Sequence, residues 1–162
     1  MGEFTEFHLN IELNEMPKNM KKILAGYDDF EPPNHPFFEV PTWGYFFKGS
    51  AYFDMIPFAW LKSNILNIQV STKNTHNEID NFLDWIWPYV TTYAHELVGF
   101  IRNNHESNVL LLYNCDGELR KLWVKAQFEN DKFDVEPIKD SNPKVCDFAK
   151  LLEQDVVRRK RR

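Results

Sequence analysis

Cysteine and glycine are both scarce in this chain, and neither forms a known functional motif. The two cysteines, Cys115 and Cys146, share no metal-ligand spacing with any histidine, which disfavours a disulfide scaffold and a structural zinc site. The six glycines are scattered and form no phosphate-binding loop, and the five histidines stand apart from one another. We therefore predict no cofactor, no metal ion and no recognisable catalytic residue.

Long apolar runs are also absent. A membrane-spanning helix needs about 18 or more consecutive apolar residues, and no stretch of that length occurs. Residues 1–10 contain neither the basic region nor the apolar region of a signal peptide. Together with the low cysteine content, these features predict a protein of the reducing cytoplasm with no membrane partner.

Basic residues are too few in the body of the chain to suggest nucleic-acid binding. The whole sequence has 19 Lys and Arg against 24 Asp and Glu, a net charge of −5. Five of the 19 basic residues form a tail at residues 158–162, so the body carries 14 against 24, a net charge of −10. Such a body repels nucleic acid and favours a cationic protein partner.

Hydrophobic and aromatic residues, in contrast, are plentiful. They make up 43% and 15% of the 162 residues, which suffices for one substantial core, and no change in composition marks a second domain. Aromatic side chains favour a sheet packed under a helix. We predict one α+β domain over residues 1–157. It contains an antiparallel sheet of about five to seven strands, a central helix on one face and a C-terminal helix.

Alternating apolar and polar residues indicate where the strands lie. The predicted strands are residues 7–13, 42–53, 66–70, 97–102, 109–113, 119–128 and 133–138. In the second of these, Gly49 and Ser50 suggest a bulge or turn. The pair Asp116 and Gly117 predicts a type I′ hairpin, because that turn needs positive φ at both central residues.

The central helix has the clearest pattern in the sequence. Thr75 and Glu78 match a capping box, which places the helix start at Thr75, and Pro88 predicts its end near Trp87. One face is apolar: Ile79, Phe82, Leu83, Ile86 and Val90. A short helix is predicted over 16–24, and a second helix opens at 141–143. In that second helix the residues with helical spacing are Val145, Phe148, Ala149, Leu152 and Val156.

Acidic and aromatic residues next to this apolar face form a candidate binding surface. Glu78, Asp80 and Asp84 are expected on the exposed part of the central helix, with Trp85 and Tyr89 at one flank. A proline-rich stretch adds three further acids: Asp28, Asp29 and Glu31. Charges speed the approach of a basic partner and an exposed aromatic ring anchors it. The alternative is that the acids on the helix form an ordinary solvated face. In that case the proline-rich stretch is a loop whose aromatic residues anchor it to the body of the protein.

Four stretches resemble small bacterial immunity proteins of polymorphic toxin and contact-dependent growth inhibition systems. They are WGYFFKGSAYF at 43–53, NEIDNFLDWIWPYV at 77–90, VGFIR at 98–102 and LLLYNCDGEL at 110–119. The most specific element is the run EIxxFLxWIxPY. These are packing and capping residues, so the resemblance carries over no active site. It implies a small, cytosolic, non-catalytic protein, and members that neutralise nucleases are often acidic.

The sequence therefore favours an immunity protein that binds a cognate toxin domain, with a nuclease as the expected toxin class, and blocks it by covering its surface. One alternative is a small cytosolic enzyme of unrecognised type, in which histidines such as His76 or His95 converge in a pocket. Another is a generic protein-interaction module.

Overall fold

The structure is a computed structural model that describes residues 4–25, 31–48, 58–62, 64–93, 95–103, 107–129 and 132–137. Its strands are β1 (Thr5–Glu12), β2 (Phe58–Lys62), β3 (Ile65–Thr72), β4 (Glu96–Asn103), β5 (Asn108–Cys115), β6 (Glu118–Glu129) and β7 (Lys132–Pro137). Its helices are α1 (Lys18–Leu24), α2 (Pro36–Glu39), α3 (Tyr45–Lys48) and α4 (Glu78–Ile86), and a 3-10 turn covers Trp87–Tyr89. The α+β class is thus confirmed.

All described strands join one antiparallel sheet in the order β2-β3-β1-β4-β5-β6-β7. The five central strands are β3, β1, β4, β5 and β6, and the two edge strands are β2 and β7. Strand β1 lies between β3 and β4, where Leu9 pairs with Ile68 on one side and Gly99 on the other. The alternation that predicted β1 is confirmed, since Phe7, Leu9 and Ile11 are buried.

The main core lies between one face of this sheet and the four described helices. Strands β1, β3, β4 and β5 contribute aliphatic and aromatic side chains from that face, and every described helix adds its own. Phe82 of α4 is fully buried near the middle, with ring centroids 6.0 Å from Phe7, 5.3 Å from Phe37 and 5.3 Å from Phe46. The predicted apolar face of α4 is confirmed, because all five of its residues are buried.

The prediction of a strand over residues 42–53 is wrong for the part that the structure describes. Tyr45–Lys48 is a short helix, and residues 49–53 lie outside the described ranges. Phe46 and Phe47 are both buried in the same core cluster. Consecutive side chains of a strand point to opposite faces, whereas a helical turn can direct two neighbours toward one core. Burial of this aromatic pair therefore outweighs its β propensity.

The capping box predicted at Thr75 is also wrong. Helix α4 begins at Glu78, and Asn77 before it has a left-handed backbone with φ of 56°. Asn77 is the N-cap residue and makes no side-chain capping bond; the Ile79 amide instead donates to Asn74 Oδ1 at 3.1 Å, so the Asn74 side chain, and not that of Thr75, satisfies an amide of the first turn. A left-handed Asn77 turns the chain sharply, which brings Asn74 under the first helical turn. The predicted end near Pro88 is confirmed, as α4 passes into the 3-10 turn after Ile86.

The opposite face of the sheet carries a second, smaller apolar cluster. Leu122 and Val124 are its buried members, and Val109, Leu111 and Tyr113 pack against them. The β5–β6 hairpin that brings them together turns at Asp116 and Gly117, whose φ angles of 54° and 86° confirm the predicted turn. The predicted C-terminal helix and the basic tail lie outside the described residues. Within the described ranges, no helix is long and apolar enough to cross a membrane.

Candidate partner-binding surface

Two carboxylates, Asp80 and Asp84, line the outer edge of α4. They are one helical turn apart, so their side chains project from the same side of the helix. The Asp80 side chain is 56% exposed and that of Asp84 is 84% exposed. Both residues therefore lie on the solvent-exposed side of α4, as the sequence predicted, where a partner could contact them.

A groove of about 390 Å³ lies between this edge of α4 and strand β6. Its lining combines apolar and polar side chains: Asp80, Asn81, Leu83, Asp84, Trp87, Leu119 and Lys121. Leu83 is buried beneath the groove, while Leu119 and Trp87 are half-buried. A partner side chain in this groove would meet apolar walls and a carboxylate rim.

Trp87 is held in place by the β5–β6 hairpin. Its indole Nε1 donates a hydrogen bond of 2.8 Å to the carbonyl oxygen of Gly117. The positive φ of Gly117 permits the tight turn that presents this carbonyl. The hydrogen bond fixes the ring between the 3-10 turn and the hairpin. An aromatic wall fixed in this way loses little side-chain entropy when a partner binds.

Each carboxylate of the groove has a basic neighbour among the residues that the structure describes. Lys121 Nζ lies 2.5 Å from Asp80 Oδ1, and His35 Nε2 lies 3.6 Å from Asp84 Oδ2. Exposed ion pairs contribute only about 0–1 kcal/mol, because water and salt screen them. A cation of the partner would therefore displace Lys121 from Asp80 at low cost.

Glu78, in contrast, does not belong to an exposed surface, and its prediction as an exposed acid is wrong. The residue is 2% exposed. One carboxylate oxygen accepts from the His76 amide at 3.0 Å, and the other accepts from Thr42 Oγ1 at 3.4 Å. These contacts connect the start of α4 to the segment before α3. The role of Glu78 is therefore structural.

The expectation that Trp85 lies on an exposed flank is also wrong. Trp85 is 6% exposed, since α2 and the residues around it cover that flank of α4. Its ring stacks on Phe37 with a centroid distance of 5.8 Å and meets Phe38 edge-on at 4.9 Å. His35 begins α2 by accepting from the Phe37 amide at 3.2 Å through Nδ1, which orients the covering segment.

The remaining predicted binding residues are spread out. Tyr89 is half-buried against the core, and its carbonyl accepts from the Asn14 amide at 2.7 Å. Glu31 is exposed ahead of α2, whereas Asp28 and Asp29 lie outside the described residues. Of the six predicted residues that the structure describes, Asp80 and Asp84 alone line the groove described above.

Five residues of the groove were not predicted as binding residues: Asn81, Leu83, Trp87, Leu119 and Lys121. In the sequence, Trp87 stands out only as the residue before Pro88. Alternate residues of a strand share a face, so Leu119, Lys121 and Trp123 of β6 lie on the side of the sheet that packs under α4. The alternation along β6 is visible in the sequence. The strand pairing and helix packing that bring these β6 residues beside α4 are not.

The described histidines do not converge on one another. His76 and His95 are exposed at opposite ends of the segment that contains α4, and His35 faces Asp84. Among the described residues, no group of three or more His, Cys, Asp and Glu side chains is placed to hold a metal ion.

His8 lies on the other face of the sheet. Its ring stacks on Phe100 with a centroid distance of 4.3 Å. Burial lowers the pKa of His8, Glu6 opposes that shift, and Arg102 adds to it.

Comparison with known proteins gives no further assignment, since no family model, no curated protein and no solved structure matches the chain significantly.

Proposed function

We propose that this chain is an immunity protein that binds a cognate toxin domain and neutralises it by covering its surface, without chemistry of its own. The observation that carries the proposal is the groove between α4 and β6, where the exposed carboxylates of Asp80 and Asp84 border apolar walls. Apolar walls bury area, and a carboxylate rim selects a cationic segment.

The charge of the chain supports a basic partner. Outside the tail at 158–162 the net charge is −10, so long-range attraction speeds association with a cationic surface. Nucleases present such surfaces because they bind phosphate backbones. A nuclease domain is therefore the toxin class that we propose, in line with the family that the four sequence stretches resemble.

Revised contact residues follow from the structure. We propose Asp80, Asp84 and Trp87 as the centre of the contact surface, with Leu119 and Lys121 at its β6 side. Glu31 is exposed and remains a candidate at the periphery. Burial removes Glu78 and Trp85 from this set.

Co-purification with the product of the neighbouring gene tests the proposed function. We expect a complex of nanomolar affinity with a toxin domain, and survival of cells that express both proteins. A neighbouring product that is not a toxin, or that forms no such complex, would overturn the proposal. The control is the same toxin expressed alone, which should arrest growth.

A further inference from the structure

The free protein already keeps a cation at the rim of the groove between α4 and β6. Lys121 Nζ lies 2.5 Å from Asp80 Oδ1, and both residues line the groove. They belong to different elements and are 41 residues apart, so the fold itself brings an ammonium group to this carboxylate. Both side chains are open to solvent, and an exposed ion pair of this kind exchanges easily. Asp80 is therefore a position where a cation binds, and Lys121 occupies it in the free protein.

Asp84 adds a second carboxylate on the same side of α4, one helical turn further along. Its side chain is 84% exposed, and His35 Nε2 lies 3.6 Å from its Oδ2, too long for a hydrogen bond. Among the described residues that line the groove, one lysine stands against two aspartates. The rim therefore keeps a negative charge for a ligand even when Lys121 is in place.

The walls beneath this rim are apolar. Leu83 is buried below the groove, and Leu119 and Trp87 are half-buried at its sides. The hydrogen bond from Trp87 Nε1 to the Gly117 carbonyl holds the indole ring in place. The volume of about 390 Å³ is near the lower end of the range for ligand pockets, about 300–1,000 Å³. The groove therefore has room for one or two side chains of a partner.

An arginine side chain combines the properties that this groove selects. Its methylene groups bury against leucine and tryptophan side chains while the charged head stays at the rim. The planar guanidinium stacks on aromatic rings, and its N–H donors form a fork that fits carboxylates. A lysine ammonium is more strongly hydrated and has no planar face. An apolar side chain would leave both carboxylates without a partner.

We propose that the groove takes an arginine side chain of the partner, and that this arginine displaces Lys121 from Asp80. The inference rests on the proposed function for the source of the arginine, a cationic toxin domain. Lys121 then acts as a competitor for Asp80. Its removal should strengthen binding, whereas removal of a residue that contacts the partner favourably would weaken it.

A nuclear magnetic resonance titration of the full chain tests the proposal with short peptides. The probes are three capped tripeptides, acetyl-Gly-X-Gly-amide, in which X is arginine, lysine or citrulline, the last an uncharged analogue of arginine. We expect the arginine peptide to cause saturable shifts in the indole signal of Trp87 and in the amide signals of Asp84 and Lys121. The lysine peptide should bind about two- to fivefold more weakly. The citrulline peptide should leave these signals unchanged.

Two variants with the same change in net charge separate competition from a general effect of charge. Lys121→Gln should bind the arginine peptide about two- to fivefold more tightly, because the exposed pair with Asp80 no longer competes. Lys125→Gln is the matched control, since Lys125 is an exposed residue of the same strand that does not line the groove. Its affinity for the arginine peptide should stay close to that of the wild type.

The proposal is overturned if the arginine peptide leaves the groove signals unchanged, or if the lysine peptide binds as tightly. It is equally overturned if Lys121→Gln binds the arginine peptide no more tightly than Lys125→Gln does. A protein that binds its toxin but not the arginine peptide would keep the proposed function and lose this inference. A protein that binds the peptide in the groove but forms no toxin complex would lose the proposed function and keep the arginine preference of the groove.

Discussion

At the scale of single residues, the aromatic cluster around α4 decides which side chains of this helix are buried. Phe82 is fully buried, and its ring contacts Phe7, Phe37 and Phe46. Phe82→Ala should lower the free energy of unfolding by about 3–5 kcal/mol, because it leaves a cavity under the helix. Trp85→Ala should cost a similar amount, since this ring is buried between α4 and α2. Chemical denaturation measures both.

Asp84→Asn is the matched control for these two variants. Its side chain is 84% exposed, so its loss of charge should change stability by less than about 0.5 kcal/mol. A Trp85→Ala protein with the same free energy of unfolding as the wild type would contradict the packing described for that ring.

Titration of His8 gives a second test at this scale. Burial lowers its pKa, with Glu6 opposing and Arg102 adding to the shift, while an unfolded histidine titrates near its ordinary value of 6.5. The unfolded chain therefore binds more protons in the window below pH 6.5, and the free energy of unfolding should fall as the pH drops through it.

His8→Phe keeps an aromatic ring against Phe100 and removes the titration. Denaturation at a series of pH values should show a weaker pH dependence in His8→Phe than in the wild type. Identical slopes for wild type and His8→Phe would contradict the prediction.

At the scale of elements, the junction of β1 and β4 has no room for a side chain. The register shifts between Leu97 and Gly99, and a Cβ atom on Gly99 would lie 2.0 Å from the carbonyl oxygen of His8. Because this contact is with backbone, Gly99→Ala forces the two strands apart. We expect a loss of about 3 kcal/mol in denaturation experiments, near the upper end for overpacking.

Gly44→Ala is its control, since a Cβ there meets no atom within 4 Å. It should leave stability nearly unchanged. Equal effects of the two substitutions would show that the β1–β4 junction is less tightly packed than the structure indicates.

Elements with strong periodicity were predictable from the sequence, and those decided by long-range contacts were not. Strand β1 and the apolar face of α4 each follow one regular pattern, so local sequence determines them. Helix α3 depends on burying Phe46 and Phe47 in a core that distant strands provide. In the same way, Trp85 was expected at the surface because its cover, α2, lies nearly fifty residues earlier in the chain. The groove likewise needs Lys121 beside Asp80, a contact across 41 residues.

At the scale of the whole molecule, charge and shape point to the same side of the sheet. The groove between α4 and β6 has two exposed carboxylates, and the body of the chain is acidic. Removal of the two groove charges should therefore weaken the binding of a cationic partner far more than removal of two charges elsewhere on the surface. Glu15 and Glu96 provide the matched pair, since both are exposed and neither lines the groove.

The most direct measurement is a calorimetric titration of the proposed toxin partner with three forms of this protein. Asp80→Asn/Asp84→Asn should bind at least about tenfold more weakly than the wild type, equivalent to about 1.4 kcal/mol. Glu15→Gln/Glu96→Gln should bind with nearly wild-type affinity. Wild-type affinity of the Asp80→Asn/Asp84→Asn protein would contradict the assignment of the groove as the binding surface.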